Sequence, residues 1–378
     1  MRERTTSRER FAADVLSELR RVGVRDADYR PRQFAIVCDA GQDMFSWLFL
    51  ARPFVEYERN PGDRKRLVRE FVASSLAPAD GPETLEEARP RLRVALRGAT
   101  YGGADLLRRP ALPFLDEVVL VDHPRTYLDE RYPRLWEVSV EEVFANARTG
   151  MESRAAELDG VTSLGRSVLH VPDYTGGQVV SRILLDGWLA ALTDYVGGRP
   201  VAFVPSNLML LICVDEPVIV KRLFQLAADE YARTARPLSP MGYTPDAGGR
   251  LTVYSPAPDH PAYHVSGRAY RRLLVDSAEG QRLTSRDPRF VACSLVARSD
   301  GSSFTEATWR VGSSSLLPPV DFVGIREPGE KLYFVSWTTL AEADLLHEDV
   351  ELRPTRFRTS TRPSASALGY LRERAVTP

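Results

Sequence analysis

Residues 199–244 read RPVAFVPSNLMLLICVDEPVIVKRLFQLAADEYARTARPLSPMGYT, and the fold is decided there. Residues 201–204 have the texture of a short strand, and Pro205, Ser206 and Asn207 supply a turn. Residues 208–214 are a nearly unbroken apolar run, the pattern of a strand covered on both faces. Asp215 and Pro217 then stand where a helix begins, as cap and first-turn residue. Val220, Leu223, Phe224, Ala227 and Tyr231 share one helical face, while Lys221, Gln225, Asp229 and Arg233 share another. Strand, turn, strand and amphipathic helix, closed by a Pro-rich loop at 237–245, predict a hairpin covered by a helix. Nothing in the stretch carries recognisable chemistry.

Just upstream, a short strand is expected at 168–171. Val180, Ile183, Leu184, Trp188, Leu192 and Tyr195 predict one long helix that stops at Gly197-Gly198. Residues 176–244 therefore read helix, hairpin, helix. The same order is expected at 8–76. There, Phe11, Val15, Leu16 and Leu19 mark a helix ended by Gly23, strands follow at 33–38 and 44–50, and Pro61 and Asp63 open a second helix. Between these units lie strands at 91–96 and 117–121, and an irregular crossing at 100–113 with Gly102-Gly103 and two prolines as breakers. The capping-box spacing of Ser139 and Glu142 precedes a helix to about 153. Helices that follow antiparallel hairpins cover one face of a sheet. The expected class is α+β, with helix-hairpin-helix units packed on mixed or antiparallel sheet.

The texture changes after Gly249. A Pro-rich joint at 255–263 separates an expected region 1–255 from a β-rich region 256–378. Short β-patterned runs are expected at 290–297, 304–311, 320–325 and 332–338, with SDGSS and REPGE as hairpin turns. The tail from Pro354, rich in Arg, Ser and Thr, is expected to be partly disordered.

With 50 basic and 51 acidic side chains among 378 residues, the net charge is −1, which gives no electrostatic case for nucleic acid or an anionic membrane as partner. Cys38, Cys213 and Cys293 are odd in number and widely spaced, without zinc or disulfide spacing. The polar start MRERTTSRERF lacks the apolar core of a signal peptide, and no run approaches the length of a membrane span. A reduced, cytoplasmic protein is expected.

His260 and His264 have the spacing of two helical metal ligands, but Pro261 lies between them and no Glu stands as general base, so no metal is expected. The Gly pairs at 102–103, 176–177 and 197–198 do not follow strands in the manner of a phosphate loop, and no cofactor is expected. Asp122 and His123 end a strong strand, a position where open sheets carry chemistry. With Arg236 and Tyr243, also at element ends, they are the candidates for a dispersed acid–base site.

Three segments together resemble the uncharacterised bacterial YtpQ-like family (domain of unknown function 1444). They are WLFLARPFVEYERNPGDRKRLVREFVASSL at 47–76, EVVLVDHPRTYLDERYPRLWEVSVEEVFANART at 117–149, and the stretch 199–244 with its RPLSP loop. The resemblance covers roughly 8–250 and stops before His260. It implies a fold unit and supplies no activity and no catalytic residue. The expected role is binding of a protein or small-molecule partner through the sheet edges and the joint at 246–267. The alternative is an enzyme with its site near Asp122 and His123.

Overall fold

The computed structural model describes residues 7–24, 27–31, 34–39, 45–76, 82–101, 106–121, 126–155, 162–163, 168–172, 179–234, 236–285 and 287–378. The class is α+β, with helices laid on several sheets. Helix α1 (Ser7–Arg21) buries Phe11, Ala12, Val15 and Leu19. They pack on a three-stranded antiparallel sheet of β1 (Ala27–Arg30), β2 (Ala35–Asp39) and β3 (Phe45–Phe49). Helices α2 (Ala51–Arg59) and α3 (Arg64–Leu76) complete this core. The Tyr57 hydroxyl donates to the Asp14 carboxylate at 2.6 Å and ties α2 to α1.

Helix α4 (Leu85–Ala88) is capped by the Thr84 hydroxyl, which accepts the Glu87 N–H. Strands β4 (Leu92–Gly98), β5 (Arg108–Leu112), β6 (Leu115–Val121) and β7 (Thr126–Tyr127) form a second antiparallel sheet, ordered β4-β6-β5 with β7 also on β6. The irregular crossing expected at 100–113 is thus a strand from Arg108 onward. Pro110 is tolerated because β5 is an edge strand whose register shifts between Pro110 and Leu112. Helices α5 (Arg131–Leu135) and α6 (Val140–Ala155) follow, and the Ser139 hydroxyl accepts the Glu142 N–H at 3.1 Å, as the capping-box spacing requires.

Strands β8 (Thr162–Ser163) and β9 (Val168–Pro172) belong to a six-stranded antiparallel sheet. The single helix expected over 180–195 is replaced by 3-10 turns at Val179–Leu184 and Ala190–Leu192 and a short α7 (Thr193–Val196). Gly187, with φ of 73°, breaks the run and donates its N–H to the Gly249 carbonyl. The sheet continues through β10 (Pro200–Ser206) and β11 (Met209–Val214). Helix α8 (Pro217–Arg233) follows, then β12 (Gly242–Pro245) and β13 (Leu251–Val253), in the order β13-β12-β10-β11-β9-β8. Helix α8 buries the five residues that the periodicity selects. Its first residue is Pro217, but the cap position is Glu216 without a side-chain bond. Asp215 instead accepts the Tyr254 O–H at 2.7 Å.

Helix α9 (Tyr263–Ser285) leads into the β-rich C-terminal part. There, β14 (Cys293–Ala297) and β15 (Ser303–Arg310) precede β16 (Leu316–Leu317), β17 (Phe322–Arg326) and β18 (Tyr333–Ser336). Next come α10 (Trp337–Glu342), β19 (Leu346–Asp349), β20 (Arg356–Thr359) and α11 (Ala365–Glu373). The larger sheet, β14-β15-β17-β18, is mixed because β15 and β17 run parallel, and the smaller is β16-β20-β19. Trp309, Val323, Ile325 and Val335 fill the core between sheet and helices. Where the sequence suggested partial disorder after Pro354, the structure has β20 and α11. The Arg372 guanidinium binds the Glu327 carboxylate, and the Val376 N–H donates to the Phe334 carbonyl at 2.8 Å.

Candidate anion-binding groove

The groove is dictated by strand alternation. Successive side chains of a strand point to opposite faces. In β15, Ala307 and Trp309 turn into the core while Thr308 and Arg310 turn to solvent. In β17, Val323 and Ile325 are inward and Arg326 is outward. The parallel register pairs Arg310 with Arg326, so two cations emerge side by side from strands about 4.8 Å apart. Like charges placed directly opposite each other destabilise a sheet. Among the described residues neither guanidinium makes an ion pair or hydrogen bond.

A wall of the same groove is formed by a second segment. Residues 288–291 run alongside the 313–317 segment, with Phe290 bridged to Leu316, the Leu316 N–H donating to the Arg289 carbonyl and the Val291 N–H to the Leu316 carbonyl. Arg356, fully buried, locks the two together. Its donors reach the carbonyls of Val291 at 2.8 Å, Leu316 at 3.0 Å and Ala278 at 2.7 Å, and the Gln281 side-chain oxygen at 2.7 Å. Burial pulls this guanidinium down to about 10, which leaves it charged at neutral pH.

Between wall and strands lies a groove of about 620 Å³, lined by Arg289, Arg310, Arg326, Thr308 and the serines at 313–315. The turn that carries the serines is made by Gly312, whose φ of 95° disfavours any residue with a Cβ. Arg289 is bound by Asp287, with contacts from 2.7 to 3.1 Å, and its guanidinium holds the Asp287 carboxyl below the usual carboxylate range. Among the described residues three arginines line the groove; Asp287 pairs with Arg289, and Asp349, also near Arg289, pairs with Arg358, so Arg310 and Arg326 leave an excess of two positive charges.

Of the sequence candidates, Asp122 and His123 lie outside the described residues; the flanking Val121 and Thr126 pair across β6 and β7. Arg236 follows α8, and its carbonyl accepts the Asn207 N–H at 3.2 Å. Its side chain acts electrostatically on Tyr101. The Tyr101 ring lies tilted against that of Tyr127, whose hydroxyl accepts two bonds from the buried Arg97, at 3.0 and 2.7 Å. Tyr243 is enclosed in β12 with its hydroxyl 2.7 Å from the Ser239 hydroxyl. Burial raises its pKa far from neutrality. The structure brings Arg236 to the Arg97–Tyr101–Tyr127 cluster and puts Tyr243 inside the six-stranded sheet.

No family model, curated protein or solved structure matches the chain. The groove is therefore read from its own chemistry. Its three arginines went unnoticed in the sequence because they are distant from one another in the chain. The usable signal was the alternation in SFTEATWR and FVGIR, combined with a parallel register that only the fold supplies. Among the described residues no cluster of metal-ligating side chains occurs. Cys213 and Cys293 are pushed up to about 12 and about 11 by burial, which suppresses thiolate chemistry. Among the described residues no helix is long and apolar enough to cross a membrane.

Proposed function

We propose that the protein acts by reversible binding, and that its ligand is an anionic small molecule held in the groove between residues 288–291 and the Arg310–Arg326 pair. The observation that carries this is the pair itself: two arginines in register, unpaired among the described residues, at the mouth of a concave site. A bound anion removes their mutual repulsion and uses guanidinium forks suited to oxyanions. Cys213 and Cys293 are free thiols, which fits the reducing cytoplasm, where we place this binding role. The similarity of residues 8–250 to the YtpQ-like family offers no activity to carry over, so the proposal rests on the groove.

Titration calorimetry of the full chain with phosphate, sulfate and citrate is the test. Wild type is expected to bind at least one of these anions, and the double variant R310Q/R326Q none, with both proteins melting at similar temperatures. A wild type blind to every anion, or a double variant that binds as well, would defeat the proposal.

A further inference from the structure

We infer that the groove recognises a phosphomonoester with a small hydroxylated body, a sugar phosphate in chemical class. This rests on the reading of the groove as an anion site and adds what the anion is. Charge comes first. The arginines exceed the local carboxylate by two, which a phosphomonoester dianion neutralises and a single carboxylate does not. Geometry comes second. Arg310 and Arg326 rise from adjacent strands, and Arg289 belongs to the separate 288–291 segment that also lines the groove. A planar carboxylate offers two oxygens to one fork, whereas a phosphate offers three to donors arriving from different directions. Arg289 is already engaged by Asp287 through its Nε and Nη2 atoms, which leaves Nη1 for a ligand.

The remaining space decides the body of the ligand. The groove's volume falls within the range of small-molecule sites and far exceeds a phosphate. Thr308 and the serines at 313–315 line it, and among the described residues no aromatic side chain does. A nucleobase finds no aromatic stacking platform there. Hydroxyl groups find partners, because serine and threonine both donate and accept. The Ser313 hydroxyl donates to the Arg310 carbonyl at 2.8 Å, so its lone pairs remain as acceptors for a ligand hydroxyl.

The experiment is calorimetry on the full chain with ribose 5-phosphate, inorganic phosphate, AMP, citrate and sulfate. Ribose 5-phosphate is expected to bind about tenfold more tightly than inorganic phosphate or citrate, and AMP no more tightly than ribose 5-phosphate. Each of R310Q and R326Q is expected to weaken ribose 5-phosphate by about tenfold with the melting temperature preserved. A pH arm isolates the phosphate. Its second ionisation lies at about pH 6, whereas the arginines stay charged. Affinity for ribose 5-phosphate should therefore fall several-fold from pH 7.5 to 5.0, and affinity for sulfate should not. Acidic groups around the site are Asp287 and Asp349 beside Arg289, and Glu306 further along β15, while Glu327 is turned to Arg372 and Tyr333. They act on both anions alike, so the comparison cancels them. Citrate binding as tightly as ribose 5-phosphate would overturn the phosphate assignment while leaving an anion site. Equal affinity for inorganic phosphate, or tighter binding of AMP, would overturn the hydroxylated body. No binding of any anion would remove the groove reading as well.

Discussion

Arg356 and Arg310 are the same side chain in opposite circumstances. Arg356 is fully buried, and its donors are taken by three backbone carbonyls and the Gln281 side chain. Truncating it strands those acceptors in a dry site, and buried unsatisfied groups are costly. R356M is expected to lose about 3 kcal/mol or more in urea melts. R356K should not restore it, since an ammonium cannot span a planar fork of acceptors. Arg310 lies in the open beside Arg326, so R310Q should keep or slightly raise stability, by about 0.2–1 kcal/mol, while weakening the proposed ligand about tenfold. An R356M protein as stable as wild type would mean that the wall of the groove is not held as described. Neither role was legible in the sequence. Arg356 stands in an Arg-rich tail whose composition suggests disorder, and its burial depends on carbonyls from α9, β16 and the 289–291 segment. Sequence-based reading sees side-chain types and spacing, and carbonyl acceptors leave no mark on either.

At the scale of elements, the legible parts were those where period and length agree. Strands β10 and β11 with α8 were readable because an apolar run and a 3.6 period sit side by side. The 179–196 stretch has a helical period too, yet Gly187 takes a left-handed φ and divides it into turns. Strand β5 was hidden by Pro110, a breaker everywhere except at an edge or bulge. Contacts between elements were invisible, and one is testable by pH. Arg271 of α9 binds Asp321 at 2.8 and 3.0 Å, and Thr305 of β15 donates to the same carboxylate through its N–H and hydroxyl. Burial alone would raise the Asp321 pKa, but the Arg271 and Thr305 donors outweigh it and lower it. A carboxyl depressed in the folded state stabilises above its unfolded pKa, about 4, and loses that contribution as pH falls through the folded value. Melting temperatures of wild type and D321N should differ at pH 7 and converge below about pH 4. A constant gap across that range would assign the stabilisation to shape rather than charge.

Across the whole molecule, α9 belongs to two cores. Ala269 and Leu273 pack in the core of the six-stranded sheet, and Leu274 packs in the C-terminal core. Phe114, held at φ of 62° in the turn between β5 and β6, reaches both cores and sets its ring 5.5 Å from Tyr270 of α9. A bulky residue in that conformation is strained, and its place at the junction ties the strain to the packing of the two parts. Further along α9, Gly280 lies against Thr100: a Cβ built there would meet the Thr100 hydroxyl at 2.7 Å and its Cβ at 3.2 Å. This contact can be interrogated by a double-mutant cycle. In a free helix, Gly to Ala stabilises by about 1 kcal/mol. Against Thr100 the added methyl overpacks, which costs about 1–3 kcal/mol. G280A alone is therefore expected to be neutral to destabilising in urea melts. In a T100G background, where the obstructing side chain is gone, G280A should become stabilising. The coupling between the two sites is the signature of direct contact. If G280A stabilises the wild-type background by the full helical increment, α9 does not press on the 99–101 turn, and the two parts of the chain meet less closely than the structure places them.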